Sequence, residues 1–463
     1  MGLDIEGRKF GVVGMARSGI AVTRFLRDRG ARVLATDANP LSKLSAEVGL
    51  LGEEGVELKL NDRAYEGLES CDVVVTSPGV PSDSPPLCRA REAGVPVIGE
   101  IELAYHFCPS VLVAITGTKG KTTTATLLGE MLNADGIPAY VAGNIGQPLI
   151  GIVVEASEKH VIVAEVSSFQ LETTWQFRPH VGVLLNIAED HMNRYRDLDS
   201  YASAKERLFR NQQEDDFAIY NVDDSEALKR SASLRGKLIG FSTRRAVDQG
   251  VFVNGQEQLR SAMCHREGTI CSRREILIPG PHNVGNALAA SAAALTLGCS
   301  RDAIAEVLRT FSGVPNRLEK VAEINGVLFV NDSQATIPFA VEAGLRAFDR
   351  PVHLIAGGQS KILKTDSFDD FGRVVAQRCA SLTCIGESAK IIAGASERGG
   401  MKEVHFAETL EQATRDAFSR SRPGDIVLLS PACASFDMFR NYEHRGEVFR
   451  SSVAQIAEKT AEN

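Results

Sequence analysis

The run Val111-Leu112-Val113-Ala114-Ile115-Thr116-Gly117-Thr118-Lys119-Gly120-Lys121-Thr122-Thr123 decides the fold class of this chain. Its apolar first half reads as a strand buried in a parallel sheet, the glycines interrupt it, and a helical pattern takes over at 124–132. Strand, glycine loop and helix together form a phosphate-binding context. Gly117 and Gly120 let backbone N–H groups close around phosphate oxygens, and the helix N-terminus adds partial positive charge. Lys121 supplies a point charge at the β and γ positions of a nucleotide, and the Thr122 hydroxyl suits Mg2+, with Thr118, Lys119 and Thr123 completing the loop. The general phosphate-loop pattern places glycine where Ile115 stands, so the match to it is incomplete.

On either side of this run the chain alternates short apolar strands with helical patterns. Strands are expected at 9–13, 32–36, 72–76 and 95–98; at 111–116, 161–166 and 181–186, followed by an Ala-rich helix at 283–297; and at 327–330, 353–356, 382–385 and 426–430. That rhythm predicts an α/β protein of parallel, helix-covered sheets. A length of 463 residues exceeds one compact core. With candidate joints at 105–109 and 312–316, three domains are expected: 1–107, 108–313 and 314–463. A net charge of −8 provides no basic field for nucleic acid. No stretch of about 18 apolar residues suggests a membrane span, and a cytoplasmic protein is expected. Nine cysteines without metal-ligand spacing are expected to be reduced and mostly buried.

Three further segments carry chemistry. Ala164-Glu165 places a carboxylate at the C-terminal end of a strand, where ligands gather in open α/β sheets, so Glu165 is a candidate Mg2+ ligand. Asn186-Ile187-Ala188-Glu189-Asp190-His191 follows the next strand in the same way, with His191 suited to a metal or a phosphate. Tyr201-Ala202-Ser203-Ala204-Lys205 sets a lysine on a helix. Taken singly, each has a plainer reading: a carboxylate paired with Arg, a core histidine, an exposed helix lysine. For Glu165 and His191, arrival after successive strands beyond a phosphate loop favours the site; for Lys205 the residues alone favour the exposed helix lysine.

In that order, the loop 116–123, Glu165-Val166-Ser167-Ser168-Phe169-Gln170-Leu171-Glu172, the His191 turn and the Lys205 helix resemble the Mur ligases. The segment from Leu429-Ser430-Pro431-Ala432-Cys433-Ala434-Ser435-Phe436 to Tyr442-Glu443-His444-Arg445-Gly446 is similar to the C-terminal signature of the glutamate-adding branch of that family. The resemblance implies a Rossmann-like N-terminal domain for a UDP sugar, a central P-loop ATPase α/β domain and a Rossmann-like C-terminal domain that delivers the amino acid. It implies a monomeric ATP-dependent ligase that joins D-glutamate to UDP-N-acetylmuramoyl-L-alanine through an acyl phosphate, in peptidoglycan precursor synthesis. By residue, it implies that Lys121 and Thr122 bind ATP phosphates and metal, that Glu165 and His191 hold Mg2+, with two ions in all, and that Lys205 is carbamylated to bridge metal. Burial that lowers the lysine pKa would favour that modification.

The same resemblance places Asn283 and Asn286, in Pro279-Gly280-Pro281-His282-Asn283-Val284-Gly285-Asn286, on the adenine side; Asn283 as a helix cap is the plainer reading. Asn144 is placed at the muramoyl substrate, and Met15, Ala16, Asp37, Ser77, Pro78 and Gly79 at the uridine. In the last domain it places Arg317 and Asp332 near ATP, and Thr336, Lys361, Ser435, Phe436 and Tyr442 at the glutamate. The chain departs from the family at Asn316, where relatives carry His, at Gln334, where they carry Lys, and at Ile362-Leu363-Lys364, where a glycine-containing stretch is usual. The departures around Lys361 and Gln334 motivate one alternative, a sibling ligase with another amino acid choice, such as L-glutamate; a second, an inactive nucleotide-binding homologue, is opposed by intact Lys121, Glu165, His191 and Lys205. A nicotinamide oxidoreductase rests only on Gly11-Val12-Val13-Gly14-Met15-Ala16-Arg17-Ser18-Gly19, which lacks the dinucleotide spacing.

Overall fold

The computed structural model of the 463-residue chain describes residues 3–144, 146–192, 194–278, 280–360 and 368–461. They form two compact units, Met1–Phe311 and Ser312–Asn463. The first contains two sheets. Strands β1 (Lys9–Val13), β2 (Arg32–Asp37), β3 (Glu57–Leu60), β4 (Val73–Thr76) and β5 (Val97–Gly99) pair in parallel in the order β3-β2-β1-β4-β5. The order reverses between β1 and β4, which opens a crevice beyond their C-terminal ends.

The second sheet comprises β6 (Val111–Thr116), β7 (Ala139–Gly143), β8 (Val161–Glu165), β9 (Val181–Leu184), β10 (Phe217–Asn221), β11 (Lys237–Ser242), β12 (Gly250–Val253), β13 (Gln258–Ser261) and β14 (Gly268–Ser272). Its order is β14-β13-β12-β11-β10-β9-β6-β8-β7. The inner strands β8 and β9 are buried along their whole length, as strands covered on both faces must be. Beyond β12 the sheet turns antiparallel. The Ala-rich helix Pro281–Thr296 lies against the helix Lys121–Ala134; its small side chains, Ala287 and Ala290 among them, are fully buried and permit close approach.

Two buried carboxylates explain why both sheets belong to one unit. Glu100 opens the helix Glu100–His106 after β5, and its Oε1 accepts the Ile150 N–H at 2.7 Å; burial pushes its carboxyl up to about 7. Glu102 accepts the N–H groups of Trp175, Gln176 and Phe177 at 2.9, 2.7 and 3.0 Å. The expected joint at 105–109 therefore lies inside a bonded region, whereas the one at 312–316 falls at the division between the units.

The second unit holds β15 (Glu319–Ile324), β16 (Val327–Asn331), β17 (Val352–Gly357), β18 (Cys379–Ile385), β19 (Val404–Phe406) and β20 (Ile426–Leu429), in the order β15-β16-β20-β17-β18-β19. All pairs are parallel except the β15–β16 hairpin, which turns through Asn325-Gly326, both at positive φ. All nine cysteines are free, and Cys264 is exposed.

The helices Asp369–Arg378 and Ala389–Arg398 cross at Gly372, where a Cβ would stand 2.3 Å from the Ala395 carbonyl oxygen. Backbone cannot yield as a side chain can. Gly372→Ala is expected to cost about 1–3 kcal/mol by forcing the helices apart. Faster amide exchange across both helices, with a lower urea midpoint, would register that loss; unchanged exchange would contradict the crossing.

Candidate active site

Three adjacent inner strands of the larger sheet, β8-β6-β9, end side by side, and each releases a loop into the same region. From β6 comes the phosphate loop. Gly120 is the N-cap of the helix Lys121–Ala134 with φ +89°, and a Cβ there would stand 2.2 Å from the Asn286 Oδ1, so only glycine fits. Asn286 is buried and donates to the Asn283 Oδ1 at 3.0 Å, which brings the pair expected on the adenine side against the loop.

From β8 comes Glu165, 3% exposed. Its Oε2 accepts the Thr122 hydroxyl at 2.8 Å and its Oε1 accepts the Asn144 amide at 3.0 Å. The Asn144 N–H donates to the Glu165 carbonyl as well, at 2.9 Å. Three residues expected to serve metal, phosphate and sugar thus meet at one carboxylate.

From β9 comes Asn186, which the sequence reading quoted but gave no role. Its Oδ1 accepts the Lys119 N–H at 2.9 Å, its Nδ2 donates to the Lys119 carbonyl at 3.0 Å, and its own carbonyl accepts the Thr118 N–H at 3.0 Å. The asparagine clasps the outer half of the loop, and its place directly after a strand was the available signal. Thr118 continues the clasp through Ala188, while the exposed Lys119 reaches Asp190 at 3.4 Å. His191 follows at φ +57°, its ring 4.8 Å from that of Phe169; burial, opposed by Asp190 and reinforced by Lys205, lowers its pKa.

Lys205 is not the exposed helix lysine of the plainer reading. It is 1% exposed, it donates to the Gly117 carbonyl at 2.9 Å, and its ammonium lies 4.6 Å from the centre of the Tyr201 ring. Lys121 donates to the same Gly117 carbonyl at 3.0 Å and to that of Thr118 at 3.2 Å. Burial first, and the Lys121 charge second, push Lys205 down to about 7, against the pull of Asp190 and Glu165. Among the described residues no carboxylate comes within ion-pairing distance of it. Two ammonium groups on one carbonyl make a pocket that calls for anions.

The donor set fits Mg2+. A hydroxyl and a carboxylate already 2.8 Å apart are hard oxygen ligands, and Mg2+ takes one or two protein carboxylates and leaves its other positions to water and phosphate. The described residues contain no group of three or more His, Cys, Asp or Glu able to hold a metal by themselves.

At the first sheet's crevice, Asp37 ends β2 and its Oδ2 accepts the Met15 N–H at 2.8 Å, beside Ala16, which precedes the helix Arg17–Arg27. Ser77, buried, donates to the Gly14 carbonyl at 2.8 Å, with Pro78 and the exposed Gly79 next in the chain. The expected uridine residues therefore converge on the β1–β4 switch point.

The second unit gathers its own set. Asp332 is buried after β16; its Oδ2 accepts the Ser430 hydroxyl at 2.7 Å and its Oδ1 the Leu318 N–H at 3.2 Å, and burial pushes it up to about 6. Asn316 takes φ +63° and its Oδ1 accepts from Asn331 at 2.9 Å and from Arg450 at 3.2 Å, next to Arg317. Gln334 holds a buried amide oxygen for which the described residues provide no donor. Ser435 is buried, Phe436 is 66% exposed, and the Tyr442 carbonyl accepts the Ser333 hydroxyl at 2.8 Å; Thr336 stands on the loop that β16 releases. Lys361 and 362–364 lie outside the described residues. Arg445, which the sequence reading passed over, is wholly buried and donates to the carbonyls of Ser333 and Cys433 at 2.9 and 3.1 Å, binding the 332–336 and 433–436 segments together. Burial lowers it to about 10.

No helix of the described residues is long and apolar enough to cross a membrane. Residues 8–99 match a family model described as the MurD-like N-terminal domain of Mur ligases, 115–294 the Mur ligase middle domain, and 316–433 the Mur ligase glutamate ligase domain. A UDP-N-acetylmuramoylalanine–D-glutamate ligase of Pelotomaculum thermopropionicum is 45% identical over 98% of this chain and 99% of its own length. One from Caldicellulosiruptor bescii is 41% identical over 98% and 99%. Among solved structures, a UDP-N-acetylmuramate–alanine ligase of Thermotoga maritima superposes with a TM-score of 0.55 at 19% identity, covering 97% of this chain and 99% of that one. The fold is thus shared well beyond the range of sequence identity.

With Lys205 at about 7, the folded protein holds fewer protons than the unfolded chain between about pH 7 and pH 10.5, so this group's contribution to stability rises with pH through that window. In metal-free protein carrying isotopically labelled lysine side chains, one resonance, absent from Lys205→Met, is expected to titrate near pH 7. A midpoint above 9 would contradict the burial described.

Proposed function

This chain belongs to the Mur ligase family, and we propose that it is the ATP-dependent ligase that adds D-glutamate to UDP-N-acetylmuramoyl-L-alanine, a step of peptidoglycan precursor synthesis. The observation that carries the chemistry is the Lys121 ammonium on the Gly117 carbonyl of the phosphate loop, with the buried Lys205 on the same carbonyl and the Thr122–Glu165 pair beside them. An ATP triphosphate suits Lys121 and the loop, and Mg2+ the Thr122–Glu165 pair.

In the reaction a carboxylate oxygen of the nucleotide-bound alanine attacks the γ-phosphorus, the bond to the bridging oxygen breaks, and ADP leaves an acyl phosphate. The loop N–H groups, the helix N-terminus and Lys121 hold the transferring phosphoryl group in line and oppose its developing charge. Thr122 and Glu165 would hold Mg2+, with His191 and a carbamylated Lys205 for a second ion, and the metal would supply further neutralisation of phosphate charge. At a pKa of about 7, half of Lys205 is neutral at that pH, which is the state that adds CO2. The neutral amine of glutamate then attacks the acyl carbon, and the tetrahedral adduct expels phosphate to leave the amide. Asn283 and Asn286 orient the adenine, Met15, Ala16, Asp37 and the 77–79 loop the uridine, and Asn144 the muramoyl group.

Three functional domains, 1–107, 108–313 and 314–463, divide this work, with Arg317 and Asp332 serving ATP and Thr336, Lys361, Ser435, Phe436 and Tyr442 serving glutamate. A monomer working in the cytoplasm completes the reading. Curated relatives named for D-glutamate outweigh the departures at Asn316 and Gln334, so an L-glutamate enzyme and an inactive homologue are not favoured.

Phosphate release with ATP, Mg2+ and UDP-N-acetylmuramoyl-L-alanine is expected with D-glutamate and absent with L-glutamate or no amino acid. Release with L-glutamate alone would move the specificity. Silence with both isomers, despite ATP binding, would overturn the assignment.

A further inference from the structure

Glu172 directly follows the short helix Ser168–Leu171 beyond β8, and its carboxylate gathers donors from two other loops. Ser82, on the loop after β4, donates to its Oε2 at 2.9 Å. Arg194, three residues after His191, donates to the same oxygen at 2.6 Å, and the Tyr195 hydroxyl donates to Oε1 at 2.5 Å. The two charged side chains are 16% and 18% exposed, so their charge-assisted bonds are less screened than those of a surface pair.

Arg194 has two more contacts. Its Nη1 donates to the Pro78 carbonyl at 3.3 Å, inside the proposed uridine loop. Its guanidinium lies 4.1 Å over the Phe169 ring, which also lies 4.8 Å from the His191 ring. Tyr195 stacks on Phe169 and lies 5.2 Å from Tyr201, which shelters the Lys205 ammonium. One guanidinium therefore touches the loop assigned to the nucleotide sugar and the ring that backs a proposed metal ligand.

We propose that Glu172 and Arg194 are positioning residues that couple the 77–82 loop to the His191 loop, so that seating the nucleotide sugar and ordering the metal-side residues are one event. The inference rests on the proposed ligase function. A planar, forked guanidinium is needed, because a lysine ammonium cannot serve Pro78, Glu172 and the Phe169 face at once. Glu172→Gln keeps the shape and removes the charge. Ser82→Ala cuts only the arm to the first sheet.

The test combines steady-state kinetics with calorimetric binding of UDP-N-acetylmuramoyl-L-alanine to the full chain. Arg194→Lys and Glu172→Gln are each expected to raise the Kd and KM for that substrate and, at saturating nucleotide sugar, the KM for ATP by a similar factor of about tenfold, with kcat changed less than about threefold. The double variant is expected to be no worse than either single one, since both break the same link. Ser82→Ala is expected to act in the same direction by about threefold, and it keeps the test open should a charge variant not fold. Additive effects, a rise confined to the nucleotide-sugar KM, or no change in any variant would overturn the coupling. Wild-type protein that binds the nucleotide sugar yet forms no amide would instead reject the ligase reading, while binding by the variants still decides the coupling.

Discussion

Two ammonium groups sharing the Gly117 carbonyl is the arrangement on which the first unit's site depends. Lys121 and Lys205 repel each other, and burial strips Lys205 of water, so the pair persists only because the surrounding framework holds it. That framework is the parallel sheet. Three adjacent inner strands deliver the phosphate loop, Glu165 and Asn186 to one edge, and the Asn186 clasp on Lys119 fixes the loop carbonyls towards the lysines. A phosphate entering beside Lys121 meets a loop whose backbone is already fixed, so binding gains without the loop having to reorganise.

The second unit solves a related problem with the signs of its groups exchanged. Asp332 is the buried ionisable group there, and its raised pKa reflects the same loss of water. Arg445 lies fully buried and is met by carbonyl oxygens of the segments it joins. Both act at the C-terminal ends of β16 and β20, neighbours in the sheet. In each unit the strand ends fix the backbone, and one buried charge fixes the loops.

What sequence could reveal follows from where free energy is local. Strands such as Val161–Glu165 and Ile426–Leu429 are buried on both faces and read as plain apolar runs, and the glycine loop after Thr116 carries its chemistry in its composition. Glu57–Leu60 and Gln258–Ser261 are polar enough to pass for loop; they are strands because a neighbouring edge completes their hydrogen bonds, which is a tertiary fact. Lys205 was legible as a candidate only through the resemblance, since burial is not written in a helix of small residues. The clasp of Asn186 and the reach of Arg194 from Pro78 to Phe169 join residues distant in the chain, and no spacing rule announces them.

The position of Asn144 gives the site a mechanical asymmetry. Thr118, Glu165 and Asn186 hang from β6, β8 and β9, each laced to neighbours on both sides, whereas Asn144 hangs from β7, the outermost strand of the sheet, with a ladder on one side only. Half the lacing means a softer mount. The phosphate side of the pocket is thus an anvil and the sugar side a spring: the amide that grips Glu165 is carried by the part of the sheet that yields first, and an arriving ligand can draw it away without disturbing the strands beneath the phosphate loop.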